Sequence, residues 1–243
     1  MSKASAAVIA AFRNANDPDL RKQLGNLAVE WEWKHQSSRL KTVILDDYCK
    51  LVPDVLCSLS PSLFGETPPH DILALCTLVR MAAPKRVFEF GTFTGRTTLN
   101  LALNSPPDSK IFTLDLSDEE RLGLGEQRWE NTFPQSMIGE KYRVSEHAHR
   151  ITQLLGDSTK FDTSPYAHSM DFIFIDGCHD YEFVKSDTGK ALEMLAPGGT
   201  IAWHDYVPDF SGVYCHLEDM ARTHALRWIA DTSVAFYTAR AGQ

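Results

Sequence analysis

A chain of 243 residues, 43% hydrophobic and 23% charged, has the composition of a soluble globular enzyme. It is long enough for one large α/β domain or for a core domain with a helical appendage. The net charge of −8 argues against a general affinity for nucleic acid, which needs a local excess of Lys and Arg. No run approaches the roughly 18 apolar residues of a membrane span.

Taken in chain order, segments 5–14, 19–36 and 39–58 space their apolar residues as helices do, for example Leu20, Leu24, Leu27, Ala28 and Trp31. The Ala-rich start reads as a helix, with a signal peptide as the alternative. Pro53, Pro61, Pro68 and Pro69 punctuate the end of this region, so residues 1–64 are expected to form a helical appendage and 65–243 the main domain. From about residue 70, short apolar runs alternate with helical stretches. The runs are Arg86–Phe90, Lys110–Leu116, Ile151–Leu155, Asp171–Asp176 and Thr200–His204, and the helices about 71–82, 95–104, 118–130 and 181–195. Apolar runs without alternation suit strands buried on both faces. The tail adds Leu226–Asp231 and Ser233–Thr238, too close together to pair other than antiparallel. The expected fold class is α/β: a doubly wound sheet of about seven strands, the last antiparallel, with ligands at the C-terminal ends of the strands. The five cysteines, Cys49, Cys57, Cys76, Cys178 and Cys215, are odd in number and form no CxxC pair. They argue against a disulfide framework or structural zinc, and for a reducing, cytoplasmic setting.

The sharpest motif is RVFEFGTFTGRTT, residues 86–98. A strand ends at Phe90, Gly91 and Gly95 make the turn, and a helix follows, so backbone amides can approach a polar ligand. The dinucleotide fingerprint would need glycines at 89, 91 and 94, where this chain has Glu89, Gly91 and Thr94. A carboxylate at the first position repels a pyrophosphate, and no GK[ST] follows to make a phosphate loop. Glu89 beside a glycine turn suits a ligand with cationic and anionic ends. The pattern E-x-G-x-x-x-G resembles motif I of class I S-adenosylmethionine-dependent methyltransferases, whose sheet is Rossmann-like. The resemblance implies S-adenosylmethionine as cofactor, with Glu89, Gly91, Thr92 and Gly95 at its methionine end. Asp115, ending the next strand, accepts hydrogen bonds only, which suits two ribose hydroxyls. Capping of the following helix is its alternative role, for which Ser117 competes. For Asp157 in LLGDST the resemblance implies contact with the adenine amino group, assisted by Ser158, and capping is the rival reading.

In MDFIFIDGCHDYEFVKSDTGKALEMLAPGGTIAWHDY, residues 170–206, two strand ends present Asp176 and Asp205 at one sheet edge. Paired buried carboxylates call for a cation or for hydrogen-bond donors. The segment resembles the I-D-G-x-H-x-Y…G-G…H-D-Y pattern of small-molecule O-methyltransferases of the catechol and macrolide-sugar type. That implies Asp176 at the cofactor and, with His204 and Asp205, a metal set for magnesium or another divalent cation. Magnesium prefers oxygen ligands, so His204 departs from the pattern, and a softer metal or none is the alternative. His179 matches the residue that takes the acceptor's proton, as a histidine near its ordinary pKa can. A solvent-facing residue at a helix start is the rival reading.

By the same resemblance Glu66 and Thr67 in GETPPHD pass over the cofactor. The insertion 123–150, with Trp129, Phe133, Tyr142, His147 and His149, is expected to form a lid, and 207–216, following HDY, to border the acceptor. Trp31, Trp33, His35, Tyr48 and Phe64 line the acceptor pocket, a dimer contact, or simply core. The partner expected is a small hydroxylated acceptor, with homo-oligomerisation through the N-terminal helices. A metal-free N- or C-methyltransferase and a non-catalytic cofactor-binding subunit are the competing readings. A dehydrogenase is disfavoured by Glu89.

Overall fold

The structure, a computed structural model, describes residues 38–49, 53–59, 65–123 and 134–240. The sequence expectations for 5–36, for Trp31, Trp33, His35 and Phe64, and for the centre of the 123–150 lid lie outside these residues.

Among the described residues eight strands form one sheet: β1 (Lys41–Val43), β2 (Arg86–Phe90), β3 (Lys110–Asp115), β4 (Ile151–Leu155), β5 (Met170–Ile175), β6 (Leu195–Trp203), β7 (Arg227–Ile229) and β8 (Ala235–Thr238). Their order is β1-β7-β8-β6-β5-β2-β3-β4. Strands β2 to β6 are mutually parallel, and β8 runs antiparallel to both β6 and β7. The helices are α1 (Leu45–Tyr48), α2 (Pro69–Ala82), α3 (Arg96–Asn104), α4 (Asp118–Gly123), α5 (Glu140–Arg143), α6 (Tyr181–Met194) and α7 (Ser211–Met220).

The apolar runs form strands because both of their faces are covered. On β2, Val87 packs with Leu75, Leu78 and Leu101 of α2 and α3, while its neighbour Phe88 packs in the opposite layer with Met194 and Val184 of α6. Phe172 and Phe174 of β5 join the first layer, and Ile173 and Ile175 the second; all but the slightly exposed Ile175 are inaccessible to water. Burying each such side chain contributes about 1.5–3 kcal/mol, which fixes the sheet that carries the strand ends.

The eighth strand departs from expectation. Residues 39–58 were expected to be helical, but Lys41–Val43 is extended and pairs parallel with β7, and among the described residues of this range only Leu45–Tyr48 is helical. The β-branched pair Thr42 and Val43 favours this, with Val43 turned into the core beside Ile229. The segment just before the main domain therefore extends the main domain's own sheet.

Candidate active site

Every candidate residue brought together lies at the C-terminal edge of the parallel strands. There a cavity is lined by Gly91, Phe93, Asp115, Leu116, Arg121, Gly156, Ser158, Asp176, Cys178, His179, Phe183 and Asp187, among others. Gly91 is required by geometry. Its φ is +93°, and a Cβ there would sit 2.1 Å from the carbonyl oxygen of Asp176. The β2 and β5 ends can approach this closely only without a side chain. Gly95 also has positive φ (+77°), but a Cβ there would strike the Tyr142 ring and Gly139, so it is spent on packing α5 against the loop.

Glu89 is wholly buried. Its Oε2 accepts hydrogen bonds from Thr98 and Thr113, the latter at 2.6 Å, while Oε1 has no partner. Burial pushes its carboxyl up to about 8 against the two threonine donors, with help from the charges of Asp176 and Asp115. Thr92 belongs to the same polar ladder: its hydroxyl meets that of Thr113 at 2.7 Å and accepts from Gln153.

Asp115 is saturated. Oδ2 accepts from the amides of Thr92 (3.1 Å) and Phe93 (2.8 Å), and Oδ1 from Leu116 N and from Arg121, each at 2.8 Å. It does not cap α4. Ser117 and Glu120 form a reciprocal capping box there, with Ser117 N donating to Glu120 Oε2 (3.0 Å) and Glu120 N to Ser117 Oγ (3.3 Å). Asp157 is engaged locally: Oδ1 accepts from the amide and hydroxyl of Thr159, and Oδ2 pairs with Lys160 at 2.9 Å. Ser158 lines the cavity beside it.

Glu66 and Thr67 hold the site from above. The buried Glu66 pairs with Arg96 (3.3 Å) and Lys141 (2.5 Å) and accepts from Thr94. Thr67 donates to Asp176 Oδ2 at 3.2 Å and meets Thr97 at 3.0 Å. They therefore brace the loop and Asp176.

Across the cavity the ionisable groups form a chain. His179 Nε2 lies 2.8 Å from Asp205 Oδ2, close but off the line of a well-directed hydrogen bond. His204 Nδ1 faces Asp176 Oδ1 (3.1 Å) and Asp205 Oδ2 (3.2 Å), and its Nε2 meets Asp71 Oδ2 at 3.0 Å. Asp71, in the first turn of α2, is itself pinned by the amide and hydroxyl of Ser233 (2.9 and 2.8 Å). Burial disfavours the charged form of each of these groups, but their partners outweigh it. His179 is held above the ordinary histidine value by Asp205 and Asp176, and His204 well above it by Asp176, Asp205 and Asp71. Asp205 is driven well below the carboxylate range by the two histidines. Asp205 also holds a left-handed backbone (φ +58°), a strained conformation for a residue with a side chain.

Of the metal set implied by resemblance, Asp176 and Asp205 converge, but His204 has both ring nitrogens occupied by carboxylates. Among the described residues the donors that can converge are Asp176, His179 and Asp205, with one ligand atom from each within 4.8 Å of the others. This set has His179 where the resemblance implied His204, and two carboxylates with an imidazole would suit a transition-type divalent ion better than magnesium.

Sequence reasoning missed Asp71, Ser233, Arg121 and Asp187. Asp71 looked like an ordinary acidic residue in a first helical turn. Asp187 did carry a signal, being a carboxylate on the buried stripe of α6 with Val184, Thr188 and Ala191. Tyr206 and Tyr181 are packing residues whose hydroxyls bond Glu218 (2.5 Å) and Asp219 (3.1 Å). Tyr48 packs edge-on against Phe236 in the core. Phe210, in the 207–216 segment, lies on the His179 ring with centroids 4.4 Å apart. Among the described residues no cysteine is in a disulfide, and no helix is long and apolar enough to cross a membrane.

Comparison with known proteins agrees with this geometry. A family model described as a methyltransferase domain matches residues 88–206. The chain is 29% identical over 143 residues to a caffeoyl-CoA O-methyltransferase of Stellaria longipes, covering 59% of this chain and 55% of that protein. It is 26% identical over 144 residues to the catechol O-methyltransferase domain-containing protein 1 of Mus musculus, covering 56% and 50%. The chain thus spans about half the length of the curated relatives it matches. Among solved structures, an O-methyltransferase from Bacillus cereus in complex with S-adenosylhomocysteine matches with a TM-score of 0.50 at 17% identity, over 96% of each chain. The S-adenosylhomocysteine-bound methyltransferase PaMTH1 of Podospora anserina matches with a TM-score of 0.51 at 14% identity, over 99% of this chain and 97% of that one. These two likenesses establish the fold.

Proposed function

Starting from a chain whose residues 88–206 form a methyltransferase domain of the class I fold, we propose that it transfers a methyl group from S-adenosylmethionine to a hydroxyl of a small molecule, with His179 as the base. The observation that carries this reading is that His179, 2.8 Å from Asp205, lines the same cavity as the glycine loop and Asp115. The residues suit the cofactor. The unpartnered Oε1 of Glu89 is a buried acceptor near the glycine turn, and Leu116 and Phe183 offer apolar walls for a flat base.

S-adenosylmethionine, when bound, would supply an electrophilic methyl group on its sulfonium sulfur, with the neutral thioether S-adenosylhomocysteine as the leaving group. The protein's tasks are then orientation and proton removal. Asp205 faces Nε2 of His179 and so favours the proton on that nitrogen, leaving Nδ1 to receive the hydroxyl proton; the same arrangement orients catalytic histidines elsewhere. Asp205 is held in turn by His204, and His204 by Asp71. Phe210 fixes the face of the imidazole. For the ribose, Asp115 must exchange a donor it already has, and of its four donors Arg121 is the one side chain, the others being backbone amides.

Asp176, His179 and Asp205 would hold a divalent ion, which when bound lowers the pKa of the acceptor hydroxyl. An imidazole nitrogen that ligates an ion does not take a proton, so the two roles of His179 exclude each other. The base reading is preferred because His204 already meets the carboxylate oxygens that an ion would need. Cysteines outside disulfides and an ordinary composition suit the cytoplasm. The deciding experiment is methyl transfer to a panel of phenols, sugars and other hydroxylated acceptors, with EDTA and then with added Mn2+. Turnover in EDTA that His179→Ala abolishes supports the reading. Turnover that appears only with the metal transfers His179 to the ligand role.

A further inference from the structure

We propose that Asp187 recognises the adenine amino group of the bound nucleoside, through its Oδ1. The inference rests on the cavity being the S-adenosylmethionine site. Asp187 is 1% exposed, lines the cavity with Leu116, Ser158 and Phe183, and its Oδ1 has no hydrogen-bond partner among the described residues. A buried carboxylate oxygen without a donor is costly and is expected to have a use. A carboxylate accepts and cannot donate, so the missing partner is an N–H or O–H group brought by the ligand.

Asp157, the residue the resemblance implied for this task, does not leave a comparable vacancy. Its oxygens already serve Thr159 and Lys160 in the local turn. The Ser158 hydroxyl supports Asp187, and burial pushes the Asp187 carboxyl up to about 6, so at neutral pH it is mostly ionised and still an acceptor. Asp115 sets the ribose end of the cavity, and Phe183, one helical turn before Asp187 on α6, offers the base an apolar face. On the adenine base of this cofactor the 6-amino group is the N–H donor. A 6-oxo base would turn an acceptor toward the carboxylate instead.

The test is calorimetric titration of the full chain with three ligands: S-adenosylhomocysteine, its 6-oxo (inosine) counterpart, and its counterpart lacking any 6-substituent. The wild type is expected to prefer S-adenosylhomocysteine over both others by at least about tenfold, since a site built around a ligand N–H rejects analogues without it. In Asp187→Asn, whose amide can donate, the affinity ratio should move toward the 6-oxo ligand by at least about tenfold. Asp157→Asn should leave the ratio unchanged. Equal binding of the three ligands by the wild type, or an unchanged ratio in Asp187→Asn, overturns the proposal; a shift in Asp157→Asn alone returns the role to Asp157. The wild-type comparison stands even where Asp187→Asn fails to fold. Failure of the wild type to bind S-adenosylhomocysteine at all overturns the cofactor reading itself, and this inference with it.

Discussion

Binding of the cofactor product should release a proton, and Glu89 is the source. With its carboxyl raised to about 8, Glu89 is protonated in about nine-tenths of molecules at pH 7. The ligand's ammonium, brought to the unpartnered Oε1, favours the ionised form. An opposite charge at this range lowers a carboxyl by roughly 1–3 units. Taking two units as typical, Glu89 falls to about 6 and is then protonated in about a tenth of molecules at pH 7. The expected release is therefore about 0.8 proton per S-adenosylhomocysteine at pH 7, shrinking to about 0.1 at pH 5 and at pH 9. Titration calorimetry in phosphate, HEPES and Tris reads this directly, as the slope of apparent enthalpy against buffer ionisation enthalpy. In Glu89→Gln the two threonines still have an oxygen to donate to, but no proton can be released, so the slope should collapse. Tight binding with zero slope in the wild type, or a slope unchanged in Glu89→Gln, would refute the reasoning.

His179→Ala should keep S-adenosylhomocysteine affinity and lower turnover at least about tenfold, measured by product formation against calorimetry. A base acts unprotonated, so the elevated pKa of His179 places the acid limb of kcat/KM above the ordinary histidine value of about 6.5. Asp205→Asn removes the main opposing charge and should move that limb to lower pH, which a pH–rate profile would show. Asp115→Ala strands the amides of Thr92 and Phe93, each worth about 1–3 kcal/mol; S-adenosylhomocysteine affinity should fall at least about tenfold and the thermal midpoint drop, and unchanged affinity would remove Asp115 from the binding site. Gly212→Ala places a Cβ 2.1 Å from the His179 carbonyl oxygen. Displacing the base in this way should cost turnover at least about tenfold, with cofactor affinity retained.

Four of the parallel strands were legible to within a residue, since an unalternating apolar run such as VFEF or FIFI has few other places to go than between two helix layers. The fifth, expected at Thr200–His204, runs from Leu195 to Trp203 because the strand takes in the Pro197-Gly198-Gly199 stretch, which reads as a turn. Helix starts were equally plain where Pro69 or Gly95 marked them. The failure at 39–58 has a physical cause: a three-residue strand is too short to show a period, and its stability comes from β7, nearly two hundred residues away. The site followed the same division. Strand-end carboxylates and His179 announced themselves by motif. Asp71 did not, because its role is created by Ser233 and His204 across the fold. Nor could sequence say that His204 would be enclosed by three carboxylates, since this depends on the α2 start lying against the β6 end.

The short strand β1 bears on how the protein can be cut. Just before it, Ser38 contacts the Tyr206 hydroxyl at 2.6 Å and donates to Glu218 at 2.8 Å, and Arg39 adds an ion pair to Glu218 at 3.2 Å. A trimmed enzyme beginning at residue 65, the boundary its sequence suggests, would bare the flank of β7. It would also strand a buried carboxylate against a buried phenol, two positions along the chain from His204. The leading segment is thus a keystone of the half that carries the candidate site, and anyone trimming the chain should keep residues 38–49.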